Sequence, residues 1–196
     1  MAIRRIALSL VGLFVVVGAQ ANTAGQQASR GAEPRDPRKP SNAAVQTPPP
    51  AVAVSAADVK TFIDALPKDR VSDLPIRVAE VGGYKVGVYG VFRPAAVPGS
   101  AIVHDTSVTE IYYMLQGSGT LVTGGTLVDE RSDGVSPNTK RPNRRGTAIQ
   151  GGTGRHVVPG DIIIIPGKVP HWWSSLDGDI RYLIYRPDPE GLQPIK

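Results

Sequence analysis

The sequence predicts an all-β domain, a sandwich or barrel of short strands, with one short helix ahead of it. Three observations carry that expectation. Apolar or alternating runs of a few residues recur at close spacing from Leu74 to Tyr185. The 22 Gly and 18 Pro in 196 residues supply turns between them and leave little room for long helices. Only one segment, Ser55 to Leu66, has clear helical spacing, with Val59, Phe62, Ile63 and Leu66 on one face.

The chain opens on Arg4 and Arg5, an apolar run from Ile6 to Val17, and Ala19-Gln20-Ala21. That order is a secretory signal peptide, residues 1–21, cut after Ala21. The apolar run is shorter than the roughly 20 residues a membrane span needs, so no stable anchor is expected after cleavage. The expected location is periplasmic or secreted. Losing two arginines lowers the net charge from +5 to +3, too mild to argue for nucleic acid. Cysteine is absent, which excludes disulfides, thiolate metal sites, a catalytic thiol and an acylated-cysteine anchor. Residues 22–50 are rich in Ala, Gln, Ser, Arg and Pro, end in three prolines and show no hydrophobic period, so they read as a disordered linker. A single domain is expected over 51–190, with a tail over 191–196.

In the helix, Ser55 is placed to cap the N-terminus with Asp58 completing a capping box, and Pro67 ends it. Strands follow from Leu74. Gly82-Gly83 breaks the first block as a hairpin turn, and Tyr84 to Phe92 alternates. Further strands are expected at Ala101–Thr106, Thr109–Leu115 and Gly119–Thr123, with Thr126–Val128 extending the last. Residues 129–154 are polar and turn-rich, carry Lys140, Arg141, Arg144 and Arg145, and read as an exposed loop. Strands resume at Val157, at Ile162–Ile165 (an unbroken apolar run, expected to be buried on both faces), at Trp172–Trp173 and at Ile180–Tyr185.

His104, Glu110 and His171 are the residues that carry chemistry. Two imidazoles and a carboxylate suit one divalent ion, Fe, Mn, Zn or Ni, with coordination positions left open. Alternation puts His104 and Thr106 on one face, with Asp105 pointing away, and Glu110, Tyr112 and Met114 on one face of the next strand.

These residues stand in a pattern that resembles the two motifs of the cupin superfamily. The first is Gly, five residues, His-x-His, three or four residues, Glu, six residues, Gly. Here Gly99 precedes His104 one residue too closely, Thr106 replaces the second histidine, and Glu110 and Gly117 fit. The second is Gly, five residues, Pro-x-Gly, two residues, His, three residues, Asn. Gly160, Pro166 and His171 fit, while Lys168 replaces the second glycine and Ser175 stands where Asn is expected. The resemblance covers roughly residues 75 to 187. It implies a cupin-like jelly-roll β-barrel with a short N-terminal helix, in which His171 meets His104 and Glu110 inside the barrel around a metal ion. It also implies a small-molecule ligand or substrate and a homodimer.

Around that centre, Tyr112 and Glu110 are the candidate catalytic groups, Tyr112 as an acid/base or orienting hydroxyl or else as a core aromatic. Thr106, Tyr112, Met114, Trp172 and Trp173 are candidates for lining a pocket. Arg93 and Lys168 are either readers of an anionic substrate or ordinary rim charges. His156 suits the surface or a supporting role. Two functions follow: an exported metal-dependent enzyme of oxygenase or isomerase/lyase type acting on a small organic molecule, or a module that captures a small ligand, with or without metal, and catalyses nothing.

Overall fold

The computed structural model describes residues 50–196. The export signal and all but the last residue of the expected linker lie outside the described residues. Helix α1 spans Ala56–Asp64 and starts where the sequence places it. The Ser55 hydroxyl accepts from the Asp58 amide at 3.1 Å, and the Asp58 carboxylate accepts from the Ser55 amide at 3.3 Å. Two otherwise orphaned donors are thereby satisfied. Its apolar face, with Ile63 buried and Val59 and Phe62 partly so, packs together with Leu66 just beyond its end on Phe92 and Leu183.

Thirteen strands follow in the described residues. They are β1 (Ser72–Glu80), β2 (Lys85–Arg93), β3 (Ala101–His104), β4 (Glu110–Gln116), β5 (Gly119–Thr123), β6 (Thr126–Val128) and β7 (Arg131–Val135). The rest are β8 (Pro142–Gly146), β9 (Ala148–Gln150), β10 (Thr153–Val157), β11 (Ile162–Ile165), β12 (His171–Leu176) and β13 (Ile180–Asp188). All pairings are antiparallel. One sheet runs β1-β2-β13-β4-β11, a second β10-β5-β12-β3-β8-β7, and β6 pairs with β9 in a small third. Gly82 and Gly83 turn the β1–β2 hairpin with φ of +86° and +97°, the left-handed pair that a two-residue hairpin of this twist requires.

The main core is built from alternate residues of both large sheets. Tyr89, Val91, Tyr112, Met114, Ile165, Tyr182 and Ile184 from the first meet Leu121, Val157 and Trp173 from the second. Strand order therefore explains why residues remote in sequence share a site. Strand β13 joins β2 to β4, and β12 joins β5 to β3, so each sheet carries both early and late segments at its centre.

Three expectations change. Residues 129–154 are not a loop: β7 and β8 form a hairpin on the edge of the six-stranded sheet, through the pairing of β8 with β3, and β9 pairs with β6. Strand β7 is exposed along its whole length and has no apolar face, so it leaves no periodic trace in the sequence. Its neighbours' charges are locally matched, Arg144 with Glu130 at 2.8 Å, Arg145 with Asp133 at 2.5 Å, and Arg141 with Glu190. Second, Ile162–Ile165 is buried on one face only. As an edge strand it leaves Ile162 and Ile164 61% and 65% exposed, while Ile165 is buried. Third, the expected tail folds back. Val78 and Lys196 exchange backbone hydrogen bonds, and Gln193 is fully buried with its amide donating to the Arg186 carbonyl.

The turn before β12 sets the position of His171. A side chain on Gly167 would collide with the backbone of Thr106 and Ser107, and the Lys168 amide donates to the His104 carbonyl at 3.2 Å. The two histidine-bearing segments are thus joined through backbone. Lys168 sits at φ +67°, the left-handed conformation in which a Cβ is strained. Replacing it with glycine, the residue the motif expects, should stabilise the fold by about 0.5–1 kcal/mol, read by urea denaturation. A loss of stability would contradict this view of the turn.

Candidate metal centre

His104 ends β3, Glu110 begins β4 and His171 begins β12, so the three lie where the two sheets face each other at one end of the barrel. His104 Nε2 is 3.8 Å from Glu110 Oε1, and His171 Nε2 is 3.5 Å from Glu110 Oε2. One donor atom from each residue falls within 4.8 Å of the others. Bonds of about 2.1 Å allow two donors of one ion to be about 4.2 Å apart at most, so both glutamate–histidine spacings already suit a shared ion.

The second nitrogens fix which face each ring presents. Nδ1 of His171 donates to the Val169 carbonyl at 3.0 Å, and Nδ1 of His104 donates to the Asn143 side-chain oxygen at 2.9 Å. In each neutral ring this leaves the lone pair on Nε2, on the side of Glu110, the tautomer a metal needs. Burial pushes the His171 imidazole down to about 4, against the pull of Glu110, so it is neutral at physiological pH. Asn143 is on β8, within the segment expected as a loop. Cutting its side chain to alanine should weaken metal affinity about 10- to 100-fold, by metal titration against a competing chelator. Unchanged affinity would show that Asn143 does not orient His104.

Glu110 is buried beside an arginine. Arg186 Nε and Nη2 reach Glu110 Oε1 at 2.8 and 2.7 Å, and the same guanidinium holds Asp73 at 3.1 and 2.6 Å. Burial opposes ionisation of Glu110, but Arg186 and the neighbouring imidazoles outweigh it and hold the carboxyl well below the usual range. Two carboxylates share the one Arg186 guanidinium, so Glu110 keeps charge to offer a divalent cation beside the imidazoles. The Tyr112 hydroxyl donates to Glu110 Oε2 at 3.0 Å. Burial and then the Glu110 charge push this phenol well above its ordinary value, so it is a proton-bearing donor. The donor set thus fits a metal ion.

The centre opens on a cavity of about 550 Å³, within the size range of small-molecule sites. Thr106 and Tyr112 line it, as expected. Thr106 lies beyond the end of β3, and its hydroxyl accepts from the Val108 amide at 3.3 Å. Met114, Trp172 and Trp173 do not line it. Met114 and Trp173 share the inward faces of their strands, but lie deeper, where the core fills the barrel. Trp172 points the other way, and its indole donates to the Gly99 carbonyl at 3.1 Å. Asp105 and Lys168 are exposed, and His156 pairs with Asp177 at 2.8 Å on the surface. Arg93 does line the cavity.

Sequence reasoning missed Arg186, Asp73 and Asn143. For Arg186 a signal existed: Ile180, Tyr182 and Ile184 alternate inward, and continuing by two residues puts Arg186 in the barrel. Asp73 and Asn143 had none, because neither belongs to an apolar alternation.

No family model matches the sequence, and no curated protein does. Among solved structures, the DMSP lyase DddQ from Ruegeria pomeroyi is 15% identical, with 74% of this chain and 78% of that one covered and a TM-score of 0.41. A Bacillus halodurans protein is 14% identical, with 74% and 89% covered and a TM-score of 0.41. A third is 14% identical, with 63% and 82% covered and a TM-score of 0.35. That third structure is a cupin superfamily protein, from Desulfitobacterium hafniense. At these TM-scores the likenesses add nothing to the case for a metal, which His104, Glu110 and His171 make themselves.

Proposed function

We propose that this chain is an exported, metal-dependent enzyme that acts on a small organic molecule inside the barrel. The observation that supports it is the convergence of two imidazoles and one ionised carboxylate at the wall of a mixed polar and apolar cavity. The ion would be Fe, Mn, Zn or Ni, held by His104, Glu110 and His171. Bound there, it would supply Lewis-acid polarisation or activation of O₂ or water.

The protein's own groups divide the remaining work. Arg186 keeps Glu110 ionised and fixes its orientation. Tyr112 holds a proton 3.0 Å from Glu110 Oε2 and can lend it to a substrate oxygen. Ile102, Val108 and Ile184 make an apolar wall that excludes water from the substrate's body. Oxygenase and isomerase or lyase chemistry both fit these parts. Non-catalytic ligand capture is the second reading, favoured by the engagement of Tyr112 with Glu110 instead of with open space.

Oxygen uptake and substrate loss, followed with metal-loaded protein and phenolic or keto-acid substrates, separate the two. Turnover with Tyr112→Phe reduced about 100-fold or more at unchanged metal content supports the enzyme. No turnover with any of the four metals supports capture. Export rests on residues 1–21, and pairing of two copies on the apolar outer face where Ile162 and Ile164 are exposed. Cleavage after Ala21 and a dimer in gel filtration are the expected results.

A further inference from the structure

Among the described residues, the cavity lining holds one arginine that no carboxylate contacts. Four arginines line it, and three are matched: Arg70 lies 3.2 Å from Asp69, Arg145 lies 2.5 Å from Asp133, and Arg186 is shared by Asp73 and Glu110. Arg93 has no carboxylate within salt-bridge distance among the described residues, and Asp73 acts on it only from further away. The one side-chain hydrogen bond of Arg93 runs from Nε to the Tyr182 hydroxyl at 2.9 Å. Burial keeps that phenol protonated, with a pKa above its ordinary value, so it orients the guanidinium without neutralising it.

Arg93 is the last residue of β2, on the inward face that also carries Tyr89 and Val91. With Nε taken, the two terminal nitrogens and their four N–H groups remain, a planar fork that matches a carboxylate bidentately. A partly buried cation with no anion in contact is costly to maintain, and a bound anion would offset that cost. Arg93 lines the same cavity as His104, Glu110 and His171. The same lining has an apolar and aromatic part, from Ile102, Val108, Tyr112 and Ile184.

We propose that the ligand of this cavity is a small organic carboxylate, with its carboxylate on the Arg93 fork and its far end turned toward His104, Glu110 and His171. This rests on the cavity being the ligand site, and deepens the proposed function by naming the substrate class. Tyr182 is then a positioning residue.

The test is calorimetric titration of the full-length protein with propionate and benzoate, and with propionamide and benzamide as neutral isosteres, at constant ionic strength. The acids should bind and the amides should not. Arg93→Met should weaken acid binding roughly 10- to 100-fold, and Arg93→Lys, which keeps the charge but not the fork, should fall between. Metal content should be unchanged in both. If Arg93→Met does not fold, the lysine variant and the acid–amide contrast in the wild type carry the test. Acids and amides binding alike, inorganic phosphate binding more tightly than either acid, or acid binding untouched in the variants would each overturn the proposal. Repeating the titration after chelation separates it from the metal. Acid selectivity that survives chelation supports Arg93 as the reader. Metal-loaded protein without acid selectivity overturns it and leaves the metal reading intact.

Discussion

Arg186→Met is expected to destabilise the fold by about 3–5 kcal/mol, because it strands buried carboxylate charge while keeping most of the side-chain volume. Arg186 and Glu110 each have side chains only 7% exposed, whereas Asp73 is 35% exposed and can recover water. The cost therefore falls chiefly on Glu110, which must either stay charged without its partner or take up a proton. The guanidinium also stacks over the Tyr89 ring at 4.2 Å, a contact methionine only partly replaces. A divalent ion can stand in for the lost cation, so the variant should depend on metal more than the wild type does. Urea unfolding of both proteins, with and without chelator, reads the two effects together. A loss under about 1 kcal/mol would mean that the network of Arg186, Glu110 and Asp73 is a solvated pairing with little hold on the barrel.

The second large effect is loss of the metal. An ion that binds only the folded chain stabilises it by about 4 kcal/mol when present at a thousand times its dissociation constant. Chelation of the wild type should therefore lower its melting temperature by several degrees, and His171→Ala should abolish the difference between metal-loaded and chelated protein. Glu110→Gln should do the same while also releasing Arg186 from one of its carboxylates. A melting temperature that ignores chelator in the wild type would leave these three residues as a hydrogen-bonded polar cluster.

The legible parts of the sequence were those where burial imposes a period. The capping box at Ser55 and Asp58, the glycine pair at 82–83 and the alternation of Glu110 with Tyr112 each follow from local rules, and the structure brings His104, Glu110 and His171 together from strands far apart in the chain. What stayed hidden depended on sheet position. Ile162–Ile165 reads as a doubly buried strand, yet its place at a sheet edge leaves two of its four side chains in water. The hairpin of β7 and β8 has no apolar face because it extends an existing edge through backbone hydrogen bonds, and so Asn143, which holds His104, could not be found. Trp173 shares the inward face with His171 but lies deeper, a distinction of depth that alternation does not encode. Lys168 keeps the left-handed backbone of the glycine it replaces, so a departure from the motif in sequence is not a departure in conformation.

The central claim is that these three side chains hold a divalent ion. Elemental analysis of the purified full-length protein, after supplying Fe, Mn, Zn and Ni in turn and removing excess, tests it most directly. One equivalent of a divalent metal in the wild type, and none in His171→Ala, is the expected result. A wild type that retains no stoichiometric metal from any of the four, or a His171→Ala protein that retains as much, would contradict it.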